Sequence, residues 1–350
     1  HASVAALKGG VTTVFDMPNT KPATTTQERL QNKFVIIDGQ LAEVDLPLRY
    51  KLFFGADKNQ FHEIVKVKAD IAGIKVFMGA STGDLLMDDE SSLHAVYALA
   101  KAHGLLIALH AEDELIIRNN AAKYADQTDF KYHSIIREPQ AAVKAVQLVI
   151  ELAELYQVPS YILHVSTQGE LDLVKAAKAR GVMVYIETCP HYLFLDDSQY
   201  SNLNGRGKMN PPLRSKIDQD VLWQALNEGV IDTIGSDHAP HQLNEKEQPL
   251  CKCPSGVPGI ETTLPLLITA WRENKLSLAK LVALTHDNPQ QIFNLPVNDD
   301  LVLVDIVNYR ELSDAQMASK CHWTPFVGMN LTGFPRYVFT QQRLIDCRSL

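Results

Sequence analysis

Short runs rich in valine, isoleucine and phenylalanine alternate with longer stretches of helical spacing, and this alternation restricts the fold more than any other feature of the chain. It is the pattern of repeated βα units wound about a parallel sheet. Seven strand-like runs fall at 11–16, 50–54, 74–78, 105–109, 160–163, 182–187 and 231–234. Between them, 92–101, 141–155, 169–179 and 218–227 are amphipathic over several turns. The expected fold is therefore α/β, a (β/α)8 TIM-type barrel. Residues 2–10 read as a helix closing on glycine, so the first barrel strand is expected before His1 and the intact protein is expected to exceed 39.0 kDa. After 264–272 and 278–284, short strand-like pieces at 301–306 and 336–340 are separated by Pro and Gly. This predicts a barrel over 1–295 and, over 296–350, part of a small β domain with a C-terminal extension.

Composition narrows the partners. The 33 Lys and Arg against 41 Asp and Glu give a net charge of −8 without a polybasic run, which speaks against nucleic acid and anionic membranes. No stretch approaches the ~20 apolar residues that a membrane span needs. Five cysteines in 350 residues are too few and too odd for a disulfide framework, so a cytoplasmic setting is expected. Cys251 and Cys253 read as free surface thiols.

Chemically capable residues cluster where apolar runs end. The runs lead into Asp16 to Thr20, His110 to Asp113, His164 to Thr167, Glu187 to His191 and Ser236 to His241, and one contains Lys75. In a βα barrel those C-terminal strand ends form one face, the usual seat of an active site. Either His110 or His164 alone reads most simply as a satisfied core histidine. The pair, with Asp237 at a third strand end, reads as a metal site in which the aspartate could also move protons. Asp237 alone could equally be a helix cap. Lys75 lies among residues that favour burial, so its amine needs either a carboxylate partner or carbamylation by CO2, which would make it an anionic ligand. The segment 208–214, stiffened by Pro211 and Pro212, suits a loop holding Asn210 or Arg214 over a ligand.

Taken in order, Gly9 to Thr13 with Met17 to Thr20, Lys75 to Gly79, His110 to Asp113, His164 to Thr167, Cys189 to Leu193, Asn210 to Arg214, Ser236 to His241 and Gly256 to Glu261 make a wider pattern. Over nearly its full length the chain resembles the dihydroorotases of the amidohydrolase superfamily. The last two segments favour dihydroorotase over hydantoinase or allantoinase. The resemblance implies a metal-dependent barrel that interconverts L-dihydroorotate and N-carbamoyl-L-aspartate in pyrimidine synthesis, with a small molecule as its partner and a homodimer as its assembly. It implies two zinc ions bridged by carbamylated Lys75, with His110 and His164 on the second and Asp237 on the first. Asp237 would be the general base or acid. Asn19, Asn210, His241 and the backbone at Ser255 and Gly256 would hold the substrate. The family's H-x-H-x-R motif would precede His1, and its Gly-containing link between 293–296 and 300–303 is not seen. Two alternatives stand beside this reading: a hydantoinase or allantoinase, and a silent assembly partner of aspartate carbamoyltransferase.

Overall fold

The computed structural model describes residues 1–79 and 85–350. Its central feature is one parallel seven-stranded sheet in simple chain order: β1 (Thr13–Asp16), β2 (Arg49–Gly55), β3 (Gly73–Phe77), β4 (Ile107–His110), β5 (Ser160–Ile162), β6 (Val184–Thr188) and β7 (Thr233–Ile234). The sheet curls into a barrel wall with β1 and β7 as its edges.

Alternation along each strand sorts the side chains. Ile74 and Val76, Ile107 and Leu109, and Val184 and Ile186 enter the layer between sheet and helices. Their neighbours turn into the bore, where Phe53, Ala108, Tyr161 and Leu163 form a separate cluster that Phe15 and Phe293 join. Lys75 pairs in register with Ala108, and Phe77 with His110, so the polar bore residues sit at and above this apolar plug.

The helix Pro139–Tyr156 illustrates the outer layer. Proline at its first turn needs no N–H partner, and Ala142, Ala145, Val146, Val149, Ile150 and Ala153 recur at helical spacing on its buried face. Each buried Val or Ile there contributes ~1.5–3 kcal/mol relative to exposure. The predicted helices begin and end within a few residues of the observed ones, Glu90–His103, Pro139–Tyr156, Gln168–Ala179 and Lys216–Glu228.

Beyond the barrel, β8 (Leu301–Asp305), β9 (Arg310–Glu311), β10 (Asn330–Leu331), β11 (Phe334–Thr340) and β12 (Arg343–Asp346) make two small antiparallel sheets, ordered β12-β11-β8 and β10-β9. The tail is fastened to the barrel by a buried carboxylate. Glu261 accepts hydrogen bonds from the backbone of Ala318 (2.8 Å) and Ser319 (2.8 Å) and from Ser319 Oγ (2.6 Å). Trp323, Phe326 and Leu312 then pack with Val257 and Leu266 in a second core. Among the described residues no helix is long and apolar enough to cross a membrane.

Two readings need correction. Cys251 is exposed, but Cys253 is buried, its thiol 3.5 Å from the Lys246 carbonyl, because the segment that carries it folds inward. Arg214 does not overhang a ligand. It is buried at 4% exposure, donates to Ser166 Oγ (3.1 Å) and the Arg137 carbonyl, and lies 3.9 Å from Glu112.

Candidate active site

At the C-terminal end of the strands the barrel opens into a cleft of about 1730 Å³ that extends between the two sheet edges. Asn19, Lys75, His110, His164, Asn210, Asp237, Ser255 and Gly256 all line it. His241 stands outside the lining, with Nε2 3.2 Å from the Ser255 carbonyl. Eight of the residues singled out from the sequence thus meet at one mouth, and the ninth braces its wall.

His110 ends β4 and His164 follows β5, which brings His110 Nδ1 to 3.0 Å from His164 Nε2. Burial holds both imidazoles below the usual histidine range, and His164 well below it. Neutral rings with available lone pairs follow. His164 Nδ1 is buried without a hydrogen-bond partner among the described residues, as is Asn210 Oδ1. The other nitrogen of His110, Nε2, lies 3.0 Å from Glu112 Oε2, and Glu112 also pairs with Arg137.

His164 and Asp237 both adopt left-handed backbone conformations, with φ of 43° and 40°. Non-glycine residues in that region cost ~1–3 kcal/mol each, and such strain clusters at functional sites. Here both strained residues line the cleft.

Lys75 is 2% exposed. Its Nζ donates to the Val76 carbonyl (3.0 Å) and lies 3.7 Å from the centre of the Phe77 ring. Burial pushes its ammonium well below the ordinary lysine range, only partly offset by Asp237 and Glu187. Those carboxyls move the other way: burial raises Asp237 to about 6 and Glu187 to about 7. The mouth is short of positive charge.

Glu187 has no role assigned from sequence, although it is the penultimate residue of β6. It accepts from Tyr161 Oη at 2.9 Å, and a Cβ on Gly235 would fall within 2.5 Å of its carboxylate, so a larger residue there would displace that carboxylate. Asn19 is held by the turn after β1, where Lys33 pairs with Asp16 and donates to the Met17 carbonyl at 2.8 Å.

A profile of the amidohydrolase family matches residues 1–298. The chain belongs to the amidohydrolase family. This amidohydrolase is 33% identical to the dihydroorotase of Methanosarcina acetivorans, over 98% of this chain and 76% of that one. It is also 33% identical to multifunctional protein CAD of Squalus acanthias, over 96% of this chain and 13% of CAD. Among solved structures, the L-hydantoinase (dihydropyrimidinase) from Arthrobacter aurescens superposes with a TM-score of 0.91 at 28% identity, covering 98% of this chain and 79% of that one. The amidohydrolase fold, a TIM-type barrel with a small β domain, accounts for the sheets described above, and the chain is a hydrolase acting on cyclic amides.

Proposed function

We propose that this amidohydrolase is a dihydroorotase, catalysing the reversible hydrolysis of L-dihydroorotate to N-carbamoyl-L-aspartate. The observation that carries the reading is the convergence of Lys75, His110, His164 and Asp237 with Asn19, Asn210 and Gly256 in one cleft. Relatives called dihydroorotase, 33% identical over almost the whole chain, support that substrate.

The donor set suits zinc. Two imidazole nitrogens 3.0 Å apart are near the ~3.3 Å expected between two nitrogens on one tetrahedral ion with bonds of about 2.0–2.1 Å. The deficit of positive charge around Asp237 and Glu187 points the same way. Among the described residues, no three His, Cys, Asp or Glu side chains are drawn together tightly enough to hold an ion. A carbamylated Lys75 between two zinc ions, with His110 and His164 on one and Asp237 on the other, would supply what the histidine pair lacks. When bound, the metal would polarise the scissile carbonyl and acidify water.

Asp237 takes a proton from the attacking water and returns it to the ring nitrogen as the C–N bond breaks, while the carbonyl carbon gains the hydroxyl and becomes a carboxylic acid, which releases its remaining proton to solvent as the new carboxylate. Its burial at the mouth, beside Lys75 and Glu187, places the carboxyl where it can make both halves of that transfer. Asn19, Asn210, His241 and the backbone of Ser255 and Gly256 hold the ring. The division into a catalytic barrel of 1–295 and a small β domain of 296–350, the homodimer and the cytoplasmic setting belong to the same proposal; five free thiols accord with a reducing compartment.

The L-hydantoinase superposition favours a second reading, in which the ring is a hydantoin. The test is kcat/KM of the zinc-loaded protein on L-dihydroorotate, hydantoin and allantoin, with the reverse reaction on N-carbamoyl-L-aspartate. A preference of about 100-fold or more for dihydroorotate is expected. Faster turnover of hydantoin or allantoin selects the second reading, and no turnover of any favours a silent assembly partner.

A further inference from the structure

Two segments distant in sequence, Lys208 to Asn210 and Pro254 to Gly256, form one wall of the cleft through Asn210, Ser255 and Gly256. They are joined directly, because the Gly256 N–H donates to the Lys208 carbonyl at 3.0 Å. Behind that joint lies a second buried lysine, Lys246, at 2% exposure. Its Nζ donates to the carbonyls of Lys208 (2.9 Å), Pro254 (2.8 Å) and Gly256 (2.9 Å). An ammonium has three N–H bonds, and all three are used on the two segments that form the wall.

The intervening carbonyl, that of Ser255, is engaged by His241 Nε2 at 3.2 Å. Lys246 and His241 between them therefore engage three successive carbonyl oxygens. Gly256 itself has φ of +134°, and a Cβ there would meet Ala239 at 2.7 Å, so the segment sits hard against the turn that follows Asp237. Trp323 closes the rear, donating from Nε1 to the His241 carbonyl at 2.8 Å, with Lys246 Nζ 5.9 Å from its ring centre.

We infer that Lys246 is a positioning and specificity-determining residue: it ties the Asn210 and Gly256 segments into one rigid wall through their carbonyl oxygens, and leaves a fixed positive charge behind the surface that receives an anionic substrate. This inference rests on the dihydroorotase reading, whose substrate carries a carboxylate that its neutral ring analogue dihydrouracil does not. A buried ammonium sequestered by carbonyls acts on a carboxylate through a low-dielectric wall, and its effect is felt over several ångströms.

The test is Lys246→Met in the full-length, zinc-loaded protein, with Lys246→Gln, which keeps two N–H donors, carrying it if the methionine variant does not fold. KM for L-dihydroorotate should rise about tenfold with kcat changed less than about threefold, while the inhibition constant of dihydrouracil changes by less than about threefold. Equal weakening of both ligands, or unchanged KM with only a lower melting temperature, would reduce Lys246 to a packing residue and overturn the inference. Hydrogen exchange provides an arm independent of substrate: amides of 208–210 and 254–257 should lose protection in the variant while those of β3 to β6 keep theirs. Unchanged exchange in those segments would overturn the clamp even if the unsubstituted protein turned over none of the substrates, so failure of this inference and failure of the dihydroorotase reading are separable.

Discussion

Two lysines are buried near this cleft, and their surroundings could hardly differ more. Lys246, in the loop wall, has a carbonyl for each of its three protons. Lys75, in the bore, has one carbonyl, an aromatic face and two carboxyls that burial itself drives toward protonation. Three carbonyl dipoles replace part of the water around the first, so burial lowers it only to about 8; it is still largely an ammonium at neutral pH and works by holding structure. The second is starved of solvation, so burial favours its neutral amine, the form that chemistry such as carbamylation requires. A buried lysine is thus uninformative until its acceptors are counted.

The sharpest way to break the reading of the bore is Asp237→Asn. The amide keeps the size of the side chain and its left-handed turn, which asparagine tolerates, but cannot accept the proton. Turnover of dihydroorotate should fall by about 10³-fold or more, with circular dichroism unchanged, as expected when a general base is lost. Substantial residual activity would mean that the base lies elsewhere, and Glu187, the neighbouring carboxyl raised to about 7, would be the next to test.

Lys75→Ala addresses the same region through its metal. The variant should retain less than about half of the zinc measured in the parent and lose about 100-fold or more in kcat, since losing even an outer partner of a ligand costs about 10–100-fold. Short carboxylic acids should restore part of the activity by filling the space of the carbamate. Full zinc content in the alanine variant would remove Lys75 from the ligand set.

Stability sets the two lysines directly against each other. Lys75→Met replaces a poorly solvated amine with an apolar chain of similar length, so the metal-free protein should unfold within about 1 kcal/mol of the parent or be slightly more stable. Lys246→Met removes all three ammonium hydrogen bonds, leaving the Lys208 carbonyl only its Gly256 N–H donor, and should cost about 1–3 kcal/mol or more. Thermal denaturation of the two metal-free variants measures the contrast, and equal losses would erase the distinction between them.

How much of this could be read from the chain follows the same division. Strand-end chemistry was legible because period-two alternation fixes which residues reach the bore: His110 and Lys75 sit on the bore side of β4 and β3 whatever the loops do. Glu187 carried that signal too, closing an apolar run, and only its mixture with the flanking Thr188 and Cys189 hid it. Lys246 carried none. It lies in the four-residue helix Leu243–Lys246, in a polar stretch where an exposed lysine is the ordinary expectation, and only tertiary folding brings it beneath Lys208, Pro254 and Gly256. Cys253 was misread for the same reason, as the loop that buries the ammonium buries the thiol beside it. Arg214 went astray differently, because its buried partners Glu112 and Ser166 come from other strand ends and cannot be inferred from the prolines that precede it.

The smallest expected effect is also the most specific to the wall. Burial, opposed by Cys253 and Glu245 and reinforced by Lys208, lowers the Lys246 ammonium to about 8, with His241 nearby and Arg206 on the same Trp323 ring. Below about pH 8 the residue is charged in both folded and unfolded chains and contributes no pH dependence. Above it the folded chain loses the proton first, so one of the three hydrogen bonds and the charge behind the wall go together. KM for the anionic substrate should therefore rise by about two- to fivefold between pH 7.5 and about 9, whereas inhibition by neutral dihydrouracil should not follow it. Stability moves the opposite way: between about 8 and the ordinary lysine value of 10.5 the unfolded chain holds more protons, so this group makes folding more favourable as pH rises. A melting temperature that fell in step with the rising KM would assign the effect to general loosening of the protein, whereas opposed movements would assign it to this one ammonium.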